Sequence, residues 1–202
     1  MNYLQKIKDK EKKSLIINII KISLIIFVSI SLLGNFVPFF QAYDDISYGL
    51  SSILLANGSY GFSNQLLQET GNSAFMPLEW VKTQYNTAIP KSSVGIHVIG
   101  SAFYYIGGIG GLFYLGPIFT ILLIIFSERI ATKLFGSIVG LITLILLVSD
   151  WRIFEIGLRL MTDNIFSAFF ILGCFYLTKF LKKRNYIFIL LCSMFFVRYI
   201  YE

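Results

Sequence analysis

The feature that most constrains this chain is the apolar run over residues 15–33, which follows five lysines within residues 1–13. A bilayer's hydrocarbon core is about 30 Å thick, and a helix of about 20 apolar residues crosses it. The run meets that length, with Asn18 and Lys21 near its basic end. Lys21 is expected to snorkel, laying its aliphatic stem along the helix and its ammonium towards the headgroups. A cleaved signal peptide is the alternative. The stretch is long for one, and no clean small-x-small site follows it. It therefore reads as a signal anchor with a cytoplasmic N-terminus.

The rest of the chain agrees with a lipid environment. Hydrophobic residues make up 56% of the 202 residues and charged ones 14%. Mean hydropathy is +0.73. Soluble domains carry about 25% charged residues, and a domain of this size still exposes much of its surface to water. The net charge of +6 is concentrated at the N-terminus and in Lys179, Lys182, Lys183 and Arg184. Both clusters flank apolar runs, as cytoplasmic anchors do. No folded basic face of the kind that binds nucleic acid is visible. Cys174 and Cys192 lie inside apolar runs and read as packed thiols rather than a disulfide.

Four more runs are expected to span: 112–126, 134–148, 165–181 and 186–200. The stretch 94–109 is apolar too, but rich in Gly and Tyr, and it carries His97. Charge decides its placement. If it stays outside, the turn at 128–133, with Arg129 and Lys133, is cytoplasmic, and so are Lys182, Lys183 and Arg184. If it crosses, that last cluster faces outward, against the positive-inside rule. The expected fold is therefore all-α: a multi-pass transmembrane bundle of about five spans in one module. An external loop over 34–111 carries juxtamembrane helices at about 44–57 and 94–109. The polar stretch 58–93 is punctuated by Gly58, Pro77 and Pro90. Asn57-Gly58-Ser59 is a formal glycosylation sequon.

Candidate chemistry gathers at the outer boundary. Asp44 and Asp45 open the helix that follows the first span. Its Ile46, Leu50, Ile53 and Leu54 are spaced to lie against the membrane surface. Carboxylates at a helix N-terminus are stabilised by its exposed amides, so the pair either caps the helix or supplies a base. Asp150, Arg152, Glu155, Arg159 and Asp163 form a second polar island between spans. Arg159 and Asp163 are four apart, which permits a plain salt bridge on one helix face. An arginine's planar fork of donors also suits phosphate. Lys91 and His97 come from the same side. A substrate with a polar reactive head and a lipid tail fits such a boundary, as a lipid-phosphate sugar does. One carboxylate would act as general base on an acceptor, while cations hold the leaving phosphate.

The order of these features resembles the N-terminal part of the GT-C membrane glycosyltransferases. The likeness is to the dolichyl-phosphate-mannose–protein mannosyltransferase and aminoarabinose transferase group. An outer acidic pair followed by Tyr is matched by Asp44-Asp45-Ile46-Ser47-Tyr48, and the helix end near Gly by Leu54-Leu55-Ala56-Asn57-Gly58. The Lys/Pro-containing approach to an outer helix is matched by Pro90-Lys91-Ser92-Ser93, then by the segment from Ile99 to Gly107. A short basic turn ending Leu-Phe-Gly appears as Lys133-Leu134-Phe135-Gly136, and an Arg before Thr-Asp as Arg159-Leu160-Met161-Thr162-Asp163. The resemblance implies that Asp44 is the catalytic base and Asp163 a second acid of the outer site. It implies that Lys91 and Arg159 contact the donor phosphate of a polyprenyl-phosphate sugar. Asp45, Tyr48, His97 and Arg152 complete the expected substrate-binding set.

Three departures accompany it. The family's Asp-Glu is Asp-Asp here, its Lys-Pro-Pro becomes Pro-Lys-Ser, and its members have many more spans. The chain is therefore expected to be an N-terminal module, incomplete at its C-terminus. Expected partners are the lipid-linked donor and membrane lipid, in the plasma membrane. No cofactor is expected, although Asp44, Asp45 and Asp163 are hard oxygen ligands for a divalent ion. The rival functions are a transporter subunit and a non-catalytic membrane scaffold. Sugar, acceptor and oligomeric state are not encoded legibly.

Overall fold

A computed structural model describes residues 3–35, 40, 43–75, 80–91, 94–183 and 187. The described residues are 80% helical, with eight α-helices among them: α1 (Tyr3–Gly34), α2 (Tyr43–Ala56), α3 (Gln65–Thr70), α4 (Val94–Phe113), α5 (Leu115–Phe135), α6 (Ser137–Ser149), α7 (Trp151–Gly157) and α8 (Thr162–Lys183). Two short strands, β1 (Trp80–Lys82) and β2 (Ala88–Pro90), form an antiparallel hairpin. The all-α expectation holds apart from that hairpin. Glu11–Gly34, Val94–Phe113 and Thr162–Leu181 are long and apolar enough to cross a membrane, and α6 with α7 make a fourth candidate bent by 65°. These helices mark the chain as a membrane protein. The expected span at 186–200 lies outside the described residues, apart from Ile187.

The chain divides into two compact units. The first comprises residues 1–34, 119–155 and 164–202. In it α1 packs on α6, around a core that includes Val28, Leu32, Ile124, Leu144 and Ala168. Phe119 stacks on Phe169 and Phe126 on Phe175, with ring centroids 5.3 and 5.1 Å apart. Leu15, Ile26, Phe27 and Ile30 of α1, and Ile142 and Leu146 of α6, stay exposed. Helices whose outer faces meet lipid rather than water show this pattern.

The turn between α5 and α6 is not at 128–133, as the charges suggested, but at Gly136. Glu128, Arg129 and Lys133 all lie inside α5. Charged residues do not break a helix; a glycine at φ 98° does. The expected spans 112–126 and 134–148 shift accordingly to α5 and α6. The structure also corrects the reading of Lys21. Instead of reaching for headgroups it is buried, with its ammonium 2.8 Å from Glu128 Oε1. Cys174 is a free thiol, and Cys192 lies outside the described residues.

The second unit comprises residues 35–118 and 156–163. Its core joins Leu67, Trp80 and Ala88 to Leu50, Leu54 and Phe62. Asn64 caps α3, its side chain accepting from the Leu67 N–H, and Gly71 closes the helix at φ 62°. Phe62 pairs with Ala88, each N–H donating to the other's carbonyl at 2.8 Å, a single antiparallel bridge on the other edge of β2. The stretch 58–93 was expected to be a polar connection. Instead it builds much of this core, because Leu67, Trp80 and Ala88 are dispersed among turn residues.

α4 is not one straight rod. Gly108 sits at φ 60°, ψ −151°, far from helical values. Beyond it the chain reverses. A methyl group on Gly111 would run into the Phe103 carbonyl, and one on Gly100 would meet Leu112 Cδ2 at 3.5 Å. In a continuous helix residues eight or twelve apart are about 12 or 18 Å distant. Only a hairpin brings them into contact. The arm before Gly108 has roughly 14 residues, about 21 Å of helix.

Candidate functional site

The site expected around Asp44 is built on α2, and the helix presents its faces differently from expectation. Asp45, Ser47, Gly49, Ser51 and Ser52 are its buried residues, while Ile46 is exposed. Leu50 and Leu54 pack on the Leu67–Trp80–Ala88 core. The small face lets α4 approach closely: a methyl group on Gly100 would collide with the Ser52 side chain. The buried hydroxyls are satisfied within the second unit. Ser52 donates to the Tyr48 carbonyl at 2.6 Å, and the Trp80 indole N–H donates to Ser47 Oγ at 2.8 Å.

The two acids part company at the first turn of α2. Asp45 is only 1% exposed. Its Oδ2 lies 3.4 Å from Arg159 Nε, long for a hydrogen bond but within ion-pair range. Asp44 is half-exposed, and among the described residues no ion pair holds it. One turn on, Tyr48 OH lies 3.5 Å from Thr162 Oγ1. The segment leading into α8 is thus tied to α2 at two points. It carries Asp163, exposed in the first turn of α8. Asp44 and Asp163 are each the immediate neighbour of a residue in one of these contacts.

The other expected residues divide. His97 is fully buried, with Nδ1 3.0 Å from Tyr60 OH and its ring 6.4 Å from that of Tyr48. That environment is a packed polar core rather than a surface open to substrate. Burial raises the Tyr60 hydroxyl above its ordinary pKa. Lys91 is exposed directly after β2. Arg152 is exposed and belongs to the first unit, where its backbone N–H donates to Asp150 Oδ1 at 3.0 Å. Among the described residues no three His, Cys, Asp or Glu side chains converge as metal ligands would.

Sequence reasoning passed over Tyr60, Ser47 and Trp80, which hold the site's framework. Nothing local marks them, because each partner is dozens of residues away. Chemically, the second unit offers one accessible carboxylate at a helix N-terminus beside a second that is neutralised by arginine. In general an accessible carboxylate can serve as a proton acceptor, and one paired with arginine as a fixed anchor. Comparison with protein-family models, curated proteins and solved structures finds no match to the chain.

Proposed function

We propose that the chain is the N-terminal module of a GT-C-type glycosyltransferase. It would transfer a sugar from a polyprenyl-phosphate donor to an acceptor at the outer face of the membrane, with a cytoplasmic N-terminus and in the plasma membrane. The observation that carries this reading is the division of labour at α2: Asp44 open, Asp45 buried against Arg159. Asp44 is the general base that deprotonates the acceptor hydroxyl or amine. Arg159 is a positioning residue, since its guanidinium is engaged by Asp45. Its remaining donors and Lys91 are assigned to the charge that develops on the departing phosphate. Asp163 is the second acid; the contact of its neighbour Thr162 with Tyr48 of α2 supports that assignment.

The reversal in α4 supports an outer location for that helix. Its first arm, about 21 Å long, is short of the roughly 30 Å a span needs. The short sequence matches supply the donor class, and the match to the family's acidic pair supplies the choice of Asp44 over Asp45.

The test is transfer by membranes containing the chain, given radiolabelled polyprenyl-phosphate sugars and a panel of acceptors. Asp44→Asn is expected to abolish transfer while membrane insertion is unchanged. Full activity in that variant sinks the role of Asp44. Absence of transfer by the parent chain with every donor sinks the enzyme reading of this module.

A transporter subunit is the second reading, favoured by one observation: Lys21 and Glu128 are ionisable residues inside apolar helices. A transport site must exchange its occupant, however, and this pair is closed off on all sides described below.

A further inference from the structure

The first unit contains a polar cluster that glycosyl transfer does not use. Lys21 lies inside the apolar part of α1 and is 4% exposed. Its ammonium is 2.8 Å from Glu128 Oε1, donates to Thr132 Oγ1 at 2.7 Å and to Ser137 Oγ at 3.1 Å. An ammonium has three donors and no acceptor. All three are directed at partners from α5 and the start of α6. The network closes on itself, because the Thr132 hydroxyl, accepting from Lys21, donates onward to Glu128 Oε1 at 2.6 Å.

Gly140 forms the remaining wall. A side chain there would collide with Thr132 Oγ1 and come within 3.0 Å of both Glu128 Oε1 and Lys21 Nζ. The absence of a Cβ is what lets α6 close over the cluster. Five groups from three helices therefore make one site: an ammonium, a carboxylate, two hydroxyls and a bare glycine.

Either charge alone is costly within a membrane helix. Together, hydrogen-bonded to two hydroxyls, the pair has its electrostatic and hydrogen-bonding demands met. The direction of the contacts also matters. Apolar faces slide past each other at little cost in lipid, because lipid tails match leucine in polarity. A single ammonium with three acceptors fits at one register only. Specifying register is the best-attested use of a buried polar group.

We propose that Lys21, Glu128, Thr132, Ser137 and Gly140 form an intramembrane lock that fixes the register of α1 against the α5–α6 hairpin and is required for these helices to assemble as a unit. The lock is internal to the first unit and does not depend on what the second unit catalyses.

The experiment is a double-mutant cycle on the full chain in detergent micelles, read as unfolding temperature, with membrane-fraction abundance as a second measurement. Lys21→Met and Glu128→Gln each lower the unfolding temperature by roughly 5–10 °C, since each leaves the other group without its counter-charge. The combined K21M/E128Q variant loses less than the sum of the two, because nothing charged is left stranded. Gly140→Val, which adds no charge, lowers it as well by filling the space above the cluster. Single variants that unfold at the parent temperature overturn the proposal. So does a combined variant that loses the full sum, since independent sites add.

Discussion

Arg159 Nε lies 3.4 Å from Asp45 Oδ2, joining residues 114 apart in sequence. The contact fastens the segment before α8 onto α2. Its carboxylate is almost wholly buried and its guanidinium largely so. Breaking a buried pair by removing one partner costs about 3–5 kcal/mol; the long separation here places the effect near the lower end. Arg159→Ala is expected to destabilise the second unit by about 3 kcal/mol. Asp45→Asn should cost less, because it keeps the shape and removes the charge. The double variant should fall short of the sum in denaturant unfolding.

Gly107 and Gly108 are neighbours with opposite requirements. A Cβ on either meets nothing within 4 Å, yet only Gly108 has a positive φ. At φ 60°, ψ −151° the backbone is in a region essentially reserved for glycine, where a side chain costs about 1–3 kcal/mol. Gly108→Ala is expected to destabilise by that amount through torsion alone. Gly107→Ala should be neutral or slightly stabilising. Parallel thermal unfolding of the two variants checks the contrast.

Tyr60 links pH to stability. Its folded pKa is raised above the ordinary tyrosine value because burial disfavours the phenolate. The folded state therefore holds this proton more tightly than the unfolded state. Below pH 10 both states are protonated and the contribution is constant; as pH rises through the unfolded value and then the folded one, stability is lost. Tyr60→Phe should flatten that alkaline decline. It should also cost about 1 kcal/mol at neutral pH through the lost hydrogen bond to His97, measured by unfolding at several pH values.

Trp80 and Ser47 meet deep in the second unit, with the indole N–H donating at 2.8 Å to the hydroxyl. Ser47→Ala deprives a buried donor of this acceptor and is expected to cost about 1–3 kcal/mol. Ser47→Thr keeps the hydroxyl and should recover part of that loss if the extra methyl is accommodated. Chemical denaturation of the two variants separates the hydrogen bond from simple packing.

Long-period signals were legible in the sequence, and pairwise ones were not. The apolar run of α1 and the helix opening at Asp44 follow from hydrophobicity and local capping chemistry, and both appear. The reversal of α4 was half legible: its glycines were conspicuous, but glycine content does not reveal which residue takes a positive φ. The α5–α6 turn was misplaced because charge was read as a boundary. Glu128 can be buried because Lys21, more than a hundred residues earlier, neutralises it. Opposite charges in two separate apolar runs were the available clue. At α2 the apolar residues suggested a surface-lying face, whereas the small residues Gly49, Ser51 and Ser52 are the buried ones, with Ser52 in tight contact with Gly100 of α4 and Gly49 against Phe40. Helix association driven by close backbone approach selects small side chains, a pattern that hydrophobic spacing does not register.

The reversal at Gly108 bears on bookkeeping of another kind, that of parity. A segment that doubles back returns its chain to the side from which it came, and contributes nothing to the number of crossings. A straight helix of the same composition contributes one. On the proposed outer placement of α4, every residue after Phe113 has its side of the bilayer tied to the torsion angles of one glycine. On that topology a substitution that straightened this turn would act as an inversion of sign: each later loop would exchange inside for outside, and Asp163 would leave the side that holds Asp44.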